Sequence, residues 1–503
     1  MDSEPRIRSR LRSTLRRVTV AALAVSLVVA APPALPQFDN LPRLGDASDE
    51  DLSPTAERRL GEAIMREVRR DASVSDDVEI TDYLNRLGSR LTGTAAASGQ
   101  SFELFLVLDG TLNAFALPGG YIGVHSGLIL ATQTESELAS VLSHEMGHVT
   151  QRHIARMLSQ QRQSSIGMLA ALVLAALAAR SNPQAAMGAA TMAMGAQQQQ
   201  MLSFSRDAER EADRVGIETL RESGFDPNGM VAFFGRMQQA TRIYESSAPA
   251  YMRSHPLTAE RIADMQARVQ EERYRQRPDS VDFRLVRAKL RALAVPTVDG
   301  LSSARTQFER QLREKTTPDE VASWYGIAVA AVAQRDFPAA DRAIAETRSR
   351  LAEGHPFVER LAAEARLRAG DAAGALSIAQ RASARFPRAR ALSHLQAQAM
   401  LALRDFDKAA AYLQGQLAVY RSDPVLWRLL AQAENGAGRP ALAHRAAAED
   451  YALVGGWPAA IEQLKLAQKS GALDFYTASQ IDARIKELQA EYTREQGDRP
   501  PGH

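Results

Sequence analysis

Apolar residues recur at helical spacing through most of the 503-residue chain. From Ser53 and Pro54 onward, leucine, isoleucine and valine return every three or four residues over two stretches, which predicts two amphipathic helices. The pattern then changes to short β-type runs at residues 102–108 and 121–125, which predict strands. At Thr134 a polar cap followed three residues later by an acid predicts the start of another helix. This mixture of elements predicts an α+β domain.

An internal period marks the C-terminal part of the chain. The same short turn segment occurs four times, and its matching alanines are Ala340, Ala375, Ala409 and Ala443. The steps of 35, 34 and 34 residues are the period of tetratricopeptide repeats, which stack helical hairpins and bind polypeptides on a concave surface. We predict an all-α tetratricopeptide-repeat solenoid at 317–488, a helical connector before it at 271–316, and a disordered tail at 489–503.

The N-terminal residues have the composition of an export signal. Residues 1–30 hold six arginines against Asp2 and Glu4, and their apolar run leads into a proline-rich stretch. We predict a signal peptide at 1–31, with an uncleaved anchor as the alternative, and a linker at 32–51. The formal charge of the whole chain is +2, so the remainder carries about −2 and predicts no nucleic-acid partner. Because the chain has no cysteine, thiol catalysis and disulfides are excluded.

The stretch 141–149 contains the pattern His-Glu-x-x-His on the predicted central helix. His144 and His148 are one helical turn apart, so both rings can reach one ion. Glu145 lies about 100° round the helix, where its carboxylate can take a proton from a water that zinc has acidified. Since two histidines and a glutamate without an ion would be costly on a buried face, we favour one zinc per chain over a purely structural role.

A third ligand is expected from an acidic helix that begins near residue 205. Glu209 and Asp213 share one face of that helix, and small residues lie beside them. We predict that Glu209 ligates the zinc and that Asp213 orients a ligand histidine. Glu211 points away from this face and is the weaker candidate.

His153 raises the alternative of a third histidine ligand. On a continuous helix, a residue five positions past His148 is about 140° off the ligand face. The metzincin class, which uses a third histidine, also needs an intervening glycine and a spacing of six. We therefore predict that His153 is not a ligand.

Two further segments bear on substrate binding. Asn113, Ala114 and Phe115 are predicted to belong to an edge strand that takes an extended polypeptide by β-addition. Within residues 166–196, two apolar runs at 166–179 and 185–196 are each too short for a membrane-spanning helix, and together they predict a helical hairpin. A core hairpin, a lid over the cleft and a membrane-facing patch all remain open for it.

The combined motifs resemble a known protease class. The pattern at 144–148, followed later by Ser205, Arg206, Glu209, Ala212 and Asp213, is similar to the gluzincin class of the CAAX prenyl proteases and HtpX. The segments 113–116 and 254–257 are similar to that class as well. The resemblance implies a zincin-like metalloprotease domain at 52–270, with Glu209 as the third ligand.

The export signal and the repeats make the chain most similar to periplasmic members of this class that enhance the assembly of outer-membrane β-barrels. That resemblance implies unfolded or misassembled outer-membrane proteins as substrates and outer-membrane assembly machinery docked through the repeats. It implies a periplasmic location, with a peripheral position at the outer membrane as an extension. The alternative is a chaperone or assembly adaptor whose protease site is normally held shut.

His255 lies on a proline-stiffened segment well after the ligand helix. By the resemblance, it is placed where it covers the zinc or faces the transition state. As a plug it would displace the water, whereas as an oxyanion donor it would assist catalysis. A plain surface histidine is the third alternative, and we favour the plug.

Overall fold

The computed structural model describes residues 53–93, 100–160, 205–243, 250–270, 277–317, 319–471 and 473–497. Within these residues the chain forms twenty-one α-helices and one sheet of three strands. The predicted signal peptide at 1–31, the linker at 32–51 and the apolar segment at 166–196 lie outside the described residues. No described helix is both long enough and apolar enough to cross a bilayer.

Two amphipathic helices open the described chain, as predicted. Helix α1 (Pro54–Val68) begins at Ser53, whose side-chain oxygen accepts a hydrogen bond from the Ala56 amide. Helix α2 (Val78–Thr92) begins at Asp77, which caps two backbone amides in the same way. Each helix buries one apolar face, because its large aliphatic residues recur every three or four positions.

Three short strands follow α2. They are β1 (Glu103–Val107), β2 (Ala114–Leu117) and β3 (Tyr121–His125). Their order across the sheet is β1-β3-β2, with β3 parallel to β1 and antiparallel to β2. A tight turn at Pro118–Gly120 joins β2 to β3, and the φ of 79° at Gly119 favours glycine there. Strand β2 is therefore an edge strand, and its outer side has no strand partner among the described residues.

The helix that carries the His-Glu-x-x-His pattern lies at the centre of the fold. After the short helix α3 (Ser126–Ala131), helix α4 (Glu135–Thr150) begins at Thr134, whose hydroxyl accepts from the Glu137 amide at 3.2 Å. This is the predicted cap. Every residue of α4 is buried, so its two histidines lie in the interior rather than on a surface.

The next five helices that the structure describes lie between residues 153 and 269. They are α5 (His153–Gln160), α6 (Arg206–Glu222), α7 (Asn228–Ile243), α8 (Ala250–Ser254) and α9 (Ala259–Val269). Helix α6 approaches α4 closely because small residues meet at the crossing. A Cβ added to Gly216 would lie 3.2 Å from the His144 amide nitrogen, and one on Gly147 would lie 3.0 Å from the Ala212 carbonyl oxygen. This close approach brings the acidic face of α6 to the histidines.

The remaining helices follow one another, and each packs on the next. They are α10 (Val281–Ala292), α11 (Val298–Arg313), α12 (Glu320–Ala333), α13 (Phe337–Ser349), α14 (Pro356–Arg368), α15 (Ala372–Arg385), α16 (Arg390–Ala402), α17 (Phe406–Val419), α18 (Pro424–Gly436), α19 (Pro440–Leu453), α20 (Trp457–Lys469) and α21 (Phe475–Gly497). Successive hairpins turn through a residue with positive φ. These residues are Arg335, Gly370, Arg404 and Gly438, at 61°, 89°, 62° and 74°. Their spacing equals that of the matching alanines.

The apolar core does not stop at the predicted domain boundary between residues 316 and 317. One core runs from α2 and the sheet through α4 and α10 as far as α14. Phe308 of α11 packs on α12 so closely that a Cβ at Gly326 would lie 2.5 Å from its ring. An ion pair between Arg390 and Asp82, at 2.6 Å, also joins α16 to α2. The domain limits remain predictions, but the helices they separate share a core.

The last helix is longer than the sequence pattern predicts. Helix α21 continues to Gly497, past residue 489, where the sequence analysis placed the start of a disordered tail. Leu488 is 1% exposed, so the end of the helix is held by packing on α20.

Candidate metal centre

Two histidines of α4 and one glutamate of α6 meet in the interior. The Nε2 atoms of His144 and His148 lie 3.0 Å apart. The two carboxylate oxygens of Glu209 face these nitrogens: Oε2 is 3.5 Å from the Nε2 of His144, and Oε1 is 3.5 Å from the Nε2 of His148. One ligand atom from each of the three residues, and one from His255, all lie within 4.8 Å of one another. The structure therefore brings together the three residues that the sequence analysis predicts as ligands, and it adds His255 to the group.

This group of atoms fits a zinc ion. Imidazole nitrogens and carboxylate oxygens are zinc ligands, and catalytic zinc sites use three of them with a fourth position left for water or substrate. The three residues His144, His148 and Glu209 are each at most 1% exposed. Bulk water therefore cannot donate hydrogen bonds to the lone pairs that converge between them. A bound divalent cation satisfies all three.

The charges of the protein groups favour an anionic Glu209. Burial raises the pKa of Glu209, but His255 and His144 outweigh this and hold it well below its usual range. Burial lowers the pKa of His144, but the carboxylates of Asp213 and Glu209 outweigh burial and raise that pKa to about 9. Ligation requires an unprotonated histidine nitrogen, so metal binding must release this proton.

Glu145 lies beside the group with a carboxylate that is available for proton transfer. It is fully buried, and neither oxygen makes a hydrogen bond of ordinary geometry with the described residues. Burial raises the pKa of Glu145, while His255, His144 and the hydroxyl of Tyr251 act to lower it. A buried carboxylate without a fixed partner is suited to accept and return a proton.

Asp213 lies behind His144, as the sequence analysis predicts. Its Oδ1 is 2.9 Å from the Nδ1 of His144. Arg261 holds the same carboxylate with two hydrogen bonds of 2.8 Å, and its Nη1 lies 2.7 Å from Glu209 Oε2. Asp213 is thus fixed by Arg261 and in turn fixes the ring of His144.

His153 and Glu211 lie behind His148, and sequence reasoning missed both roles. His153 Nδ1 is 2.8 Å from His148 Nδ1, and His153 Nε2 is 3.1 Å from Glu211 Oε2. Glu211 stays outside the group of ligand atoms but contacts it indirectly through His153, a contact that the sequence analysis did not foresee because it assumed that His153 continues the helix of His148. Helix α4 ends at Thr150, Arg152 has a φ of 52°, and α5 starts afresh at His153.

His255 directly follows the short helix α8 and reaches into the centre. It is 2% exposed, its Nδ1 is 2.9 Å from Glu209 Oε1, and its Nε2 is 3.6 Å from Glu145 Oε1. The interpretation as a plain surface histidine is therefore wrong. The ring of Tyr251 stacks on it at 4.6 Å between centroids. Tyr251 was not predicted from the sequence, because nothing distinguishes it there from an ordinary core tyrosine.

The predicted substrate strand lies next to the central helix. Ala114 and Phe115 belong to β2, and β2 packs on α4. Asn113 directly precedes this strand, and its carbonyl oxygen accepts a hydrogen bond from the His125 amide at 3.1 Å. Ala114 is fully buried, whereas Phe115 is half-buried and packs its ring edge-on against Phe105.

Comparison with known proteins gives two kinds of match. The model of peptidase family M48 matches residues 80–269, which contain all of the site residues described above. The beta-barrel assembly-enhancing protease of Escherichia coli K12 is 32% identical over 487 residues, covering 95% of this chain and 96% of that protein. A putative beta-barrel assembly-enhancing protease of Vibrio cholerae is 32% identical over 472 residues, covering 93% and 97%.

A further relative matches less than half of this chain. The mitochondrial metalloendopeptidase OMA1 of Schizosaccharomyces pombe is 31% identical over 216 residues, covering 42% of this chain and 60% of that protein. The similarity to the two bacterial proteins, in contrast, includes the C-terminal helical hairpins.

Proposed function

This chain belongs to peptidase family M48 and to its beta-barrel assembly-enhancing group, and we propose that it degrades misassembled outer-membrane proteins in the cell envelope. Family membership makes it a zinc metalloendopeptidase. The observation that carries the proposal is the buried convergence of His144, His148 and Glu209 beside a strand whose outer side meets no other strand in the part of the chain that the structure describes. We further propose that the C-terminal hairpins assist assembly of the same substrates.

We assign one zinc ion to His144, His148 and Glu209. When bound, zinc acts as a Lewis acid that lowers the pKa of water and polarises the scissile carbonyl. The protein groups around it have separate roles. Glu145 accepts a proton from the attacking water and returns it to the leaving amine, because its buried carboxylate makes no hydrogen bond of ordinary geometry with the described residues. Asp213 holds the ring of His144 with its Nε2 lone pair directed inward.

The substrate binds by adding a strand to β2. An extended polypeptide that pairs with Asn113, Ala114 and Phe115 makes main-chain hydrogen bonds, which do not depend on sequence. This geometry supports substrates that expose unpaired strands. Misassembled β-barrels are such substrates, because a barrel that has not closed leaves strand edges open.

The C-terminal hairpins are assigned as tetratricopeptide repeats at 317–488. The positive-φ turn residues at steps of 35, 34 and 34 support this assignment, as do the matching alanines. We propose that outer-membrane assembly machinery docks on these repeats and that the protein works in the periplasm after removal of a signal peptide at 1–31. The names of the bacterial relatives, which specify β-barrel assembly, support this substrate class.

A second function, that of a chaperone or assembly adaptor with a closed protease site, is favoured by one observation. His255 lies among the proposed ligands at 2% exposure, so a substrate carbonyl has to displace it. In this alternative the repeats provide the main activity and proteolysis occurs only after the site opens.

The test compares Glu145→Gln with Glu62→Gln in the full-length protein. Glu62 is a half-exposed surface glutamate, so its variant controls for the loss of one carboxylate. With a denatured outer-membrane β-barrel protein as substrate, Glu145→Gln should cut cleavage by about 10²- to 10⁴-fold and retain zinc. Equal cleavage by both variants would refute the protease assignment. If Glu145→Gln retains full function in an envelope-integrity assay, the adaptor function is the main one.

A further inference from the structure

We infer that His153 and Glu211 are positioning residues that fix the proton of His148 on Nδ1 and thereby keep its Nε2 available for the metal. The inference rests on the proposed role of His148 as a ligand. It concerns the side of the metal centre opposite to Asp213, where the sequence analysis found no orienting group.

The distances allow one consistent assignment of protons along this chain of groups. A ligand nitrogen must carry a lone pair, so His148 Nε2 is unprotonated and the proton lies on Nδ1. The atom that faces this N–H is His153 Nδ1 at 2.8 Å, which must therefore accept. The proton of His153 then lies on Nε2 and is donated to Glu211 Oε2 at 3.1 Å.

These two hydrogen bonds account for the ring N–H protons of both histidines. His148 is fully buried and His153 is 3% exposed, so bulk water does not replace the imidazole as acceptor. Glu211 is 30% exposed, and Arg156 of α5 donates to the same oxygen at 3.0 Å. The relay, meaning the hydrogen bonds from His148 to His153 and from His153 to Glu211, therefore ends at a partly exposed carboxylate that Arg156 also holds.

The backbone supports a positional role for this arrangement. His153 reaches His148 only because the chain turns at Arg152, whose φ of 52° is uncommon for a residue other than glycine. The side chain of Arg152 is held by Glu57 of α1 at 3.3 Å. A continuous helix would have carried His153 away from the ligand face, so the break in the helix creates the contact.

The two ligand histidines are consequently oriented by different groups. Behind His144 stands a carboxylate, Asp213, whereas behind His148 stands a neutral imidazole backed by a carboxylate. Loss of such an orienting partner typically weakens metal binding by about 10- to 100-fold.

The test uses two substitutions of nearly equal shape in the full-length protein. In His153→Asn the side-chain oxygen can accept from His148 Nδ1, whereas His153→Leu offers no acceptor. Zinc dissociation constants are measured by competition with a chelator, and melting temperatures are measured with and without zinc. Arg156→Met serves as the control, because it removes the second partner of Glu211 without altering the relay.

We expect His153→Leu to weaken zinc binding by about 10- to 100-fold, His153→Asn to recover part of the loss, and Arg156→Met to bind as the parent does. The zinc-free melting temperatures of the Asn and Leu variants should agree, while the rise on adding zinc should be smaller for Leu. Equal affinity of the Leu variant and the parent would overturn the inference, and so would equally weak binding by Asn and Leu. A parent protein that binds no zinc would instead overturn the proposed function.

Should the Leu variant fail to fold, Glu211→Leu replaces it. This change leaves both imidazoles in place and removes the acceptor of the second proton, so zinc binding should again weaken. Unchanged zinc affinity in Glu211→Leu would overturn the inference.

Discussion

The imidazole of His255 lies 2.9 Å from Glu209, with Nδ1 facing the carboxylate of the proposed third ligand. Its other nitrogen, Nε2, is 3.6 Å from Glu145, the proposed base. One side chain thus lies within 3.6 Å of both the proposed ligand and the proposed base. Tyr251 stacks on the ring from one side and supports this position.

Substitution of His255 separates its two proposed roles. As a plug, His255→Ala should raise cleavage of an unfolded β-barrel protein, because the carbonyl no longer competes with the imidazole. As an oxyanion donor, the same change should cut kcat by about 10²-fold or more. We expect the increase, measured on purified protein with full zinc content. Full zinc content with reduced turnover would exclude the plug.

The two neighbouring glutamates of α6 should differ in their effect on metal content. Glu209→Gln removes the anionic ligand and should release zinc readily, whereas Glu211→Gln keeps a polar partner for His153 and should retain most of it. Metal analysis after dialysis against a weak chelator measures the difference. Greater zinc loss from Glu211→Gln would move the third ligand to that residue.

A buried lysine joins the N-terminal helices to the connector. Lys289 is 5% exposed and lies 2.6 Å from Asp77 and 2.5 Å from Glu79. Lys289→Met leaves both carboxylates without this partner and should lower the free energy of unfolding by about 3–5 kcal/mol. Lys408→Met removes an exposed pair and should cost about 0–1 kcal/mol. Urea unfolding of the two variants measures both losses of free energy. Similar losses would argue against a structural role for Lys289.

The sequence predicted those parts of the site that depend on local spacing. His144, Glu145 and His148 follow from one helix, and Glu209 and Asp213 from another, because side chains one turn apart share a face wherever the helix packs. The same reasoning gave no indication of the contact between His153 and His148, since the end of α4 at Thr150 was not recognised. The pattern continues past that residue without a proline or glycine to mark the break.

Contacts between distant segments were less accessible to prediction. Tyr251 reaches the centre only because the fold brings its ring to that of His144, at 6.5 Å between centroids, and its own sequence neighbourhood carries no signal for this. The internal period located the C-terminal hairpins but implied a boundary at residue 317. A repeat period describes contacts between neighbouring hairpins and gives no information on whether the first hairpin shares a core with the preceding helices.

The carboxylate of Asp423, in the C-terminal hairpins, should make the free energy of unfolding fall at acid pH. Burial opposes ionisation of Asp423, but His394 at 2.8 Å and Arg390 outweigh it and hold the pKa of Asp423 below its usual value. In the unfolded chain the pKa of an aspartate is about 3.9. Because the pKa is lower in the folded protein, the ionised carboxylate stabilises the fold above the unfolded pKa, and this stabilisation is lost as pH falls through the folded pKa. The difference in the free energy of unfolding between the parent and Asp423→Asn should therefore disappear once the pH is below the folded pKa of Asp423. A gap that stays constant would show that ionisation of Asp423 adds nothing.

The repeat region should fold without zinc, but its stability should depend on where it is cut. Most of its packing is between neighbouring helices and its core is apolar, so residues 317–503 alone should give a helical circular dichroism spectrum. A cut at 317 also removes α10 and α11, and with them Phe308, which is 3% exposed and packs on Gly326. A buried phenylalanine contributes about 1.5–3 kcal/mol, so residues 277–503 should unfold at higher urea than residues 317–503. Equal midpoints would place the boundary at 317, and a coil spectrum for the shorter fragment would mean that the repeats require the protease domain.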